Sequence, residues 1–133
     1  MKYLLDTNAC IRYINGRAPL LRIRLAAVSR QDVGVSAITK AEMFYGSAKS
    51  QTPERSLEKQ LEFLHTVQSI PFDDFAAAVY GKMRIELERQ GTSIGQHDML
   101  IAATCLANNL ILVTHNTSEF GRVAGLKMED WEI

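Results

Sequence analysis

"YLLDTNACIRYI", Tyr3 to Ile14, begins as an apolar run and breaks at an acid, Asp6. Behind the acid, Ile11 and Ile14 fall at helical spacing. Lys2 to Leu5 is short, apolar and bounded by the acid, and it reads as a buried strand. The segment after it reads as a helix ended by Asn15-Gly16. A strand feeding straight into a helix is one half of the unit from which parallel sheets are built.

The unit recurs. Pro19 suits the first turn of a helix carrying Leu20, Leu21, Ile23, Leu25 and Val28. Val33 to Val35 is a second short strand, followed by a helix over Ser36 to Ala48 with Ile38, Ala41, Tyr45 and Ala48 inward. A further helix begins at Pro53-Glu54 and places Leu57, Leu61, Leu64 and Val67 on one face. A strand at Ser69 to Phe72 leads into a helix over Asp73 to Arg89. Asp98 to Ala107 is apolar nearly all round, as a central helix is. Leu110 to Val113 is the most apolar strand. Asn116 to Arg122 is a short helical turn, and Leu126 to Trp131 is a final short strand. Strands alternating with helices predict an α/β fold, a mostly parallel sheet covered on both faces. The 133 residues fit one domain, 1–133.

Composition excludes several classes. Apolar residues make up 47% and no apolar run approaches the ~18 residues of a membrane span. No charged leader precedes an apolar core. Lys+Arg and Asp+Glu are both 15, so net charge gives no global support for phosphate binding. Cys10 and Cys105 lack CxxC spacing and read as buried free thiols of a reducing cytosol.

In a parallel sheet, strand-to-helix junctions share one edge, where ligands bind. Asp6, Glu42 and Glu119 each follow a predicted strand, and Asp98 opens a helix after the loop 91–97. Each also has a structural reading. Asp6 suits a helix N-cap; Thr39–Glu42 and Asn116–Glu119 have capping-box spacing; Asp98 complements a helix dipole. Asp73-Asp74 occupies the same kind of junction and reads as a cap alone. Convergence separates the readings. Carboxylates gathered at one crevice repel one another unless a hard divalent cation compensates, and such a cation suits phosphodiester hydrolysis.

"LLDTNACI", "VSAITKAEMFYG", "IGQHDMLIAA" and "ILVTHNTSEFGRVAGLKMEDW" resemble, in order and spacing, the successive motifs of PIN-domain ribonucleases, most closely the VapC toxins of toxin–antitoxin pairs. The resemblance implies a three-layer α/β/α sandwich and Mg²⁺- or Mn²⁺-dependent endonucleolytic cleavage of RNA, tRNA among its targets. Position by position, it implies Asp6, Glu42 and Asp98 as core acids and metal ligands. Glu119 takes the fourth place, with Asn116 standing where many such domains carry another Asp. It implies Thr7, Asn8 and Thr114 as residues that orient ligands or substrate. It implies a homodimer held inactive by a VapB-like antitoxin, with operator DNA bound through the antitoxin, in the cytoplasm.

Arg12, Arg17, Arg22, Arg24 and Arg30 cluster in the first quarter, and Arg12 is the substrate-contact candidate nearest Asp6. His97 reads as a loop residue and His115 as loop packing. Phe44, Tyr45, Phe63, Phe72, Phe75 and Tyr80 read as core or dimer contacts. Two other readings compete. A phosphatase with Asp6 as nucleophile wants a second Asp where Asn8 stands. A degenerate domain of the same family would bind RNA or protein without cleaving it.

Overall fold

Five parallel strands form the sheet, in the order β3-β2-β1-β4-β5. The structure, a computed structural model, describes residues 1–133. The strands are β1 (Tyr3–Leu5), β2 (Val33–Ser36), β3 (Gln68–Ile70), β4 (Ile111–Val113) and β5 (Lys127–Glu129). The helices are α1 (Thr7–Ile14), α2 (Pro19–Ala26), α3 (Ala37–Ala48), α4 (Pro53–Leu64), α5 (Asp74–Arg89), α6 (Gln96–Ala107) and the single turn α7 (Thr117–Phe120).

The central strand β1 pairs with both β2 and β4, Leu5 lying level with Val35 on one side and Val113 on the other. Alternation along each strand splits the core. Leu4 and Leu112 face the layer of α5 and α6; Leu5, Val113, Val33 and Val35 face the layer of α1 to α4. Three layers result, as expected. Gly34 is the exception in its strand: a Cβ there would lie 2.7 Å from the Ile70 side chain, so the glycine admits Ile70 to the first core. No helix is long and apolar enough to cross a membrane.

Several local expectations need correction. The buried residues of α3 are Thr39, Met43 and Ser47; Ile38 packs half-buried against the core as expected, whereas Ala41, Tyr45 and Ala48 are exposed. Tyr45 is 67% exposed. The helix is rotated because Thr39 is drawn in by hydrogen bonds, which apolar periodicity does not register. On α4, Leu64 is buried, but Leu57 and Leu61 remain open to solvent. Phe44 and Phe75 are exposed too, whereas Phe63 is core. β3 begins one residue earlier than expected and stops before Pro71, which has no N–H for a ladder. The cap of α3 is Ser36, whose Oγ accepts from the Thr39 N–H, so Thr39–Glu42 is not a capping box. Asn116 makes no side-chain cap bond either. Asp73, as expected, does cap: its Oδ1 accepts from the Ala76 N–H at 2.9 Å.

Candidate active site

The chain moves outward from β1 to β2 and β3, then returns to lay β4 on the other side of β1. Strand order therefore reverses at β1, and a crevice opens at the carboxyl ends of β1 and β4. Asp6 stands at that point. As the N-cap of α1 it accepts from the Ala9 N–H at 2.8 Å through Oδ1. Its Oδ2 accepts from the Thr114 hydroxyl at 2.6 Å, from the end of β4. Only 4% of Asp6 is exposed. Burial pushes its carboxyl above the usual range, against the pull of those two hydrogen bonds.

Glu42 comes from the second turn of α3, held by a chain of hydroxyls. Ser36 Oγ donates to Thr39 Oγ1 at 3.3 Å, Thr39 Oγ1 lies 3.0 Å from Thr7 Oγ1, and the Thr7 hydroxyl donates to Glu42 Oε1 at 2.5 Å. Thr7 has one hydroxyl hydrogen and spends it on Glu42, so Thr39 is the donor to Thr7. Ser36 and Thr39 are wholly buried. Sequence reasoning missed both. The signal was present, three hydroxyl residues beside the acids, but it looked like capping chemistry. His97, expected to be a loop residue, lies in the first turn of α6 with Nδ1 3.2 Å from Glu42 Oε2.

Asp98 sits half-buried in the same turn of α6. Burial, then the charges of Glu119, Glu42 and Asp6, push its carboxyl up to about 6. The other three acids therefore all lie within electrostatic reach of Asp98. Glu119 is shifted the other way. The Gly95 N–H donates to its Oε1 at 2.9 Å and the Asn116 amide to its Oε2 at 2.7 Å, and these bonds hold its carboxyl below the usual range. A Cβ at Gly95 would meet Asp98 Oδ2 at 3.4 Å, an ordinary contact, so what position 95 supplies to the site is its N–H. Asn116 thus supports Glu119, and its own N–H donates to Thr114 Oγ1 at 3.0 Å.

Of the substrate-contact candidates, Asn8, Arg12 and Asn116 fall together, while Thr7 is engaged with Thr39 and Glu42. Asp6, Asn8, Arg12, His115, Asn116 and Glu132 line an open cavity of about 460 Å³. Thr114 lies beneath it as the partner of Asp6. Cys10 stands behind Asp6, fully buried, and burial raises its thiol well above the ordinary value, which leaves it unreactive.

The donor set fits a hard divalent cation. It is all oxygen, gathered at one rim, and Asp98 carries both the cost of burial and the charge of its neighbours, which a cation would offset. No three of these acids already close around a single point.

Comparison with known proteins agrees with this geometry. The PIN-domain profile matches residues 3–126. A protein of Shigella flexneri named tRNA(fMet)-specific endonuclease VapC is 40% identical over 131 residues, 98% of each chain. The chain belongs to the PIN-domain family, among the VapC ribonucleases. Among solved PIN-domain structures, DNA-bound VapBC from Salmonella typhimurium superposes with a TM-score of 0.94 at 37% identity over 98% of both chains. VapBC2 of Rickettsia felis, bound to a promoter DNA fragment, gives 0.93 at 36% identity, covering 98% of this chain and 99% of that one. PIN-domain ribonucleases are generally metal-dependent, and the oxygen-only rim described above is what that dependence requires.

Proposed function

We propose that this PIN domain is an endoribonuclease, the toxin of a type II toxin–antitoxin pair, acting on tRNA in the cytoplasm with Mg²⁺ or Mn²⁺. The observation that carries the reading is the placement of Asp6, Glu42, Asp98 and Glu119 at the one sheet edge where strand order reverses. The names of the relatives, tRNA(fMet)-specific endonuclease among them, support the substrate class.

Asp6, Glu42, Asp98 and Glu119 would hold the cation. When bound, it would supply Lewis-acid activation of water and stabilisation of charge on the phosphate. The chain's own residues do the rest. The hydroxyls of Thr7 and Thr114 fix one oxygen each of Glu42 and Asp6, which leaves the other lone pairs directed by geometry. Gly95 and Asn116 donate to Glu119 and hold its carboxyl below the usual range. Asn8, Arg12 and Asn116 face the cavity beside Asp6, where the RNA backbone would enter.

The partners follow the same reading. The solved relatives are complexes of VapB with VapC, and a cognate antitoxin of that kind is the inhibitor we infer here. Phe44, Leu57 and Leu61 line an apolar groove between α3 and α4, which supports burial under another chain, an antitoxin or the second copy of a homodimer. Operator DNA would be bound through the antitoxin, in keeping with the zero net charge of this chain.

The test is cleavage of an initiator tRNA transcript with Mg²⁺ or Mn²⁺ and without, with mapping of the ends. The expected product carries a 5′-phosphate and a 3′-hydroxyl, and Asp6→Asn abolishes it. Metal-independent cleavage, or RNA binding with no cleavage under any metal, would overturn the assignment. The second outcome would restore the non-cleaving alternative.

A further inference from the structure

The last turn of chain does something that the four acids do not require. Beyond β5, and beyond the residues that the family profile matches, Asp130 and Glu132 fold back over α1 and the loop after β4. Glu132 Oε1 takes Arg12 Nε at 2.5 Å. Asp130 Oδ2 lies 2.8 Å from His115 Nδ1, and Asp130 Oδ1 accepts from the Glu132 N–H at 2.9 Å. Trp131, between them, is buried edge-on against Tyr3 with ring centroids 4.9 Å apart, and this anchors the segment to β1. Both carboxylates are largely covered, at 11% and 6% exposure, while their basic partners are open at 59% and 46%.

The polarity of this arrangement is informative. Asp130 and Glu132 are the covered members of the two pairs and Arg12 and His115 the open ones; Arg12, His115 and Glu132 line the cavity that Asp6 shares. Each base keeps one polar end without a partner in the chain. Arg12 uses Nε on Glu132 and Nη2 on the Arg17 carbonyl, which leaves Nη1. His115 uses Nδ1, which leaves Nε2. Asn8 adds an exposed amide. Arg12 is the one permanent cation lining the cavity. The volume, about 460 Å³, lies in the range of small-ligand pockets.

We propose that this cavity is a nucleotide subsite for the RNA residue flanking the scissile bond. Arg12 Nη1 takes a backbone phosphate, and His115 and Asn8 hydrogen-bond the sugar or base. Glu132 and Asp130 are positioning residues that aim Arg12 and His115. The subsite rests on the ribonuclease reading for its ligand, but its architecture is independent of the metal. A guanidinium tethered through one edge loses little freedom when it takes a phosphate on another, which is why a buried carboxylate behind it favours binding.

The test separates binding from cleavage. Anisotropy of a labelled initiator tRNA transcript is read in an Asp98→Asn background, so that the RNA stays whole, for Arg12→Ala, Arg12→Lys, His115→Ala, Glu132→Ala and Glu132→Gln. Cleavage kinetics are read for the same changes on the otherwise unaltered chain. Arg12→Ala should weaken binding about tenfold and reduce the salt dependence by about one phosphate contact. Glu132→Ala and His115→Ala should weaken it severalfold, and Glu132→Gln should recover most of the loss because it can still accept from Nε. In cleavage these changes should raise KM and leave kcat within about twofold. Melting curves identify any variant that fails to fold, and Glu132→Gln and Arg12→Lys then carry the comparison. Unchanged binding in Arg12→Ala and Glu132→Ala overturns the subsite. So does tighter binding in Glu132→Ala, which would make the tail a competitor of phosphate. Binding with the expected tail dependence but no cleavage overturns the ribonuclease reading alone. Cleavage without tail dependence overturns the subsite alone, and absence of both overturns both.

Discussion

Asp6 and Asp73 are the same device used in two places. Each follows a short strand, each caps the next helix, and each accepts the N–H three residues on, at 2.8 and 2.9 Å. Their surroundings differ. Asp73 follows β3 at the edge of the sheet and is exposed, with no second partner. Asp6 follows β1 at the centre, where β4 delivers Thr114 to its other oxygen and α3, α6 and α7 bring three more acids within reach. A cap becomes a candidate ligand when strand order sets other elements against it. Local chemistry at the two positions is equal; topology is what separates them.

The sharpest way to break the comparison is to make the same substitution at both. Asparagine caps a helix about as well as aspartate. Asp6→Asn and Asp73→Asn should therefore both fold with melting temperatures near wild type. RNA cleavage should fall at least a hundredfold in Asp6→Asn, the few kcal/mol expected of a lost metal ligand, and stay unchanged in Asp73→Asn. Equal activity in the two variants would reduce Asp6 to a cap.

Asp98 sharpens the contrast from the side of stability. Its carboxyl titrates at about 6 in the folded chain against an ordinary 3.8. The folded state thus binds that proton more tightly than the unfolded chain. Stability of the metal-free protein must fall as pH rises from about 4 to about 6, and remain lower above that. Asp98→Asn removes the penalty. At pH 8 the variant should melt a few degrees above wild type, roughly 1 kcal/mol once solvent screening of a half-exposed group is discounted. At pH 3.5 the two should melt together. Mg²⁺ should stabilise wild type at pH 8 more than the variant, because it offsets the cost of the charged Asp98 carboxylate. A variant that melts no higher than wild type at pH 8 would mean that neither burial nor the neighbouring acids penalise the charged Asp98 carboxylate.

How far the site can be read from residues alone follows from the same contrast. The alternation of strands and helices was legible, because apolar runs and caps are local. The four acids were legible as candidates, because each stands at a junction. The partners that give them roles were not. Thr114 is 108 residues from Asp6, and Glu132 is 120 from Arg12. Thr39 misled in two ways: it resembled a cap, and its burial by hydrogen bonding set α3 away from the face that Ala41, Tyr45 and Ala48 suggested. Polar residues that face inward to serve other polar residues leave no hydrophobic period to find.

Thr39 therefore offers a test of intermediate size. Thr39→Val keeps the shape and removes the hydroxyl that links Ser36 to Thr7. Glu42 keeps its direct bond from Thr7, but Thr7 loses the donor that orients it. Cleavage should fall about tenfold and the apparent affinity for Mn²⁺ should weaken, while stability drops by about 1 kcal/mol for the lost hydrogen bonds. Thr39→Ser should restore both cleavage and Mn²⁺ affinity. A valine variant that loses stability but binds Mn²⁺ as wild type does would confine Thr39 to packing.

The smallest effect returns to the edge of the sheet. Asp73→Ala removes the only side-chain acceptor at the start of α5, and the Ala76 N–H must then find water. The loss should be about 1 kcal/mol, the ordinary cost of a missing cap. Denaturant unfolding would read it as a lower midpoint with an unchanged slope. Cleavage and Mn²⁺ affinity should match wild type, because no acid of the rim leans on Asp73. If Asp73→Ala instead weakened cleavage, α5 would be transmitting its position to α6, on which it packs, and through α6 to Asp98. The edge cap would then be part of the site after all.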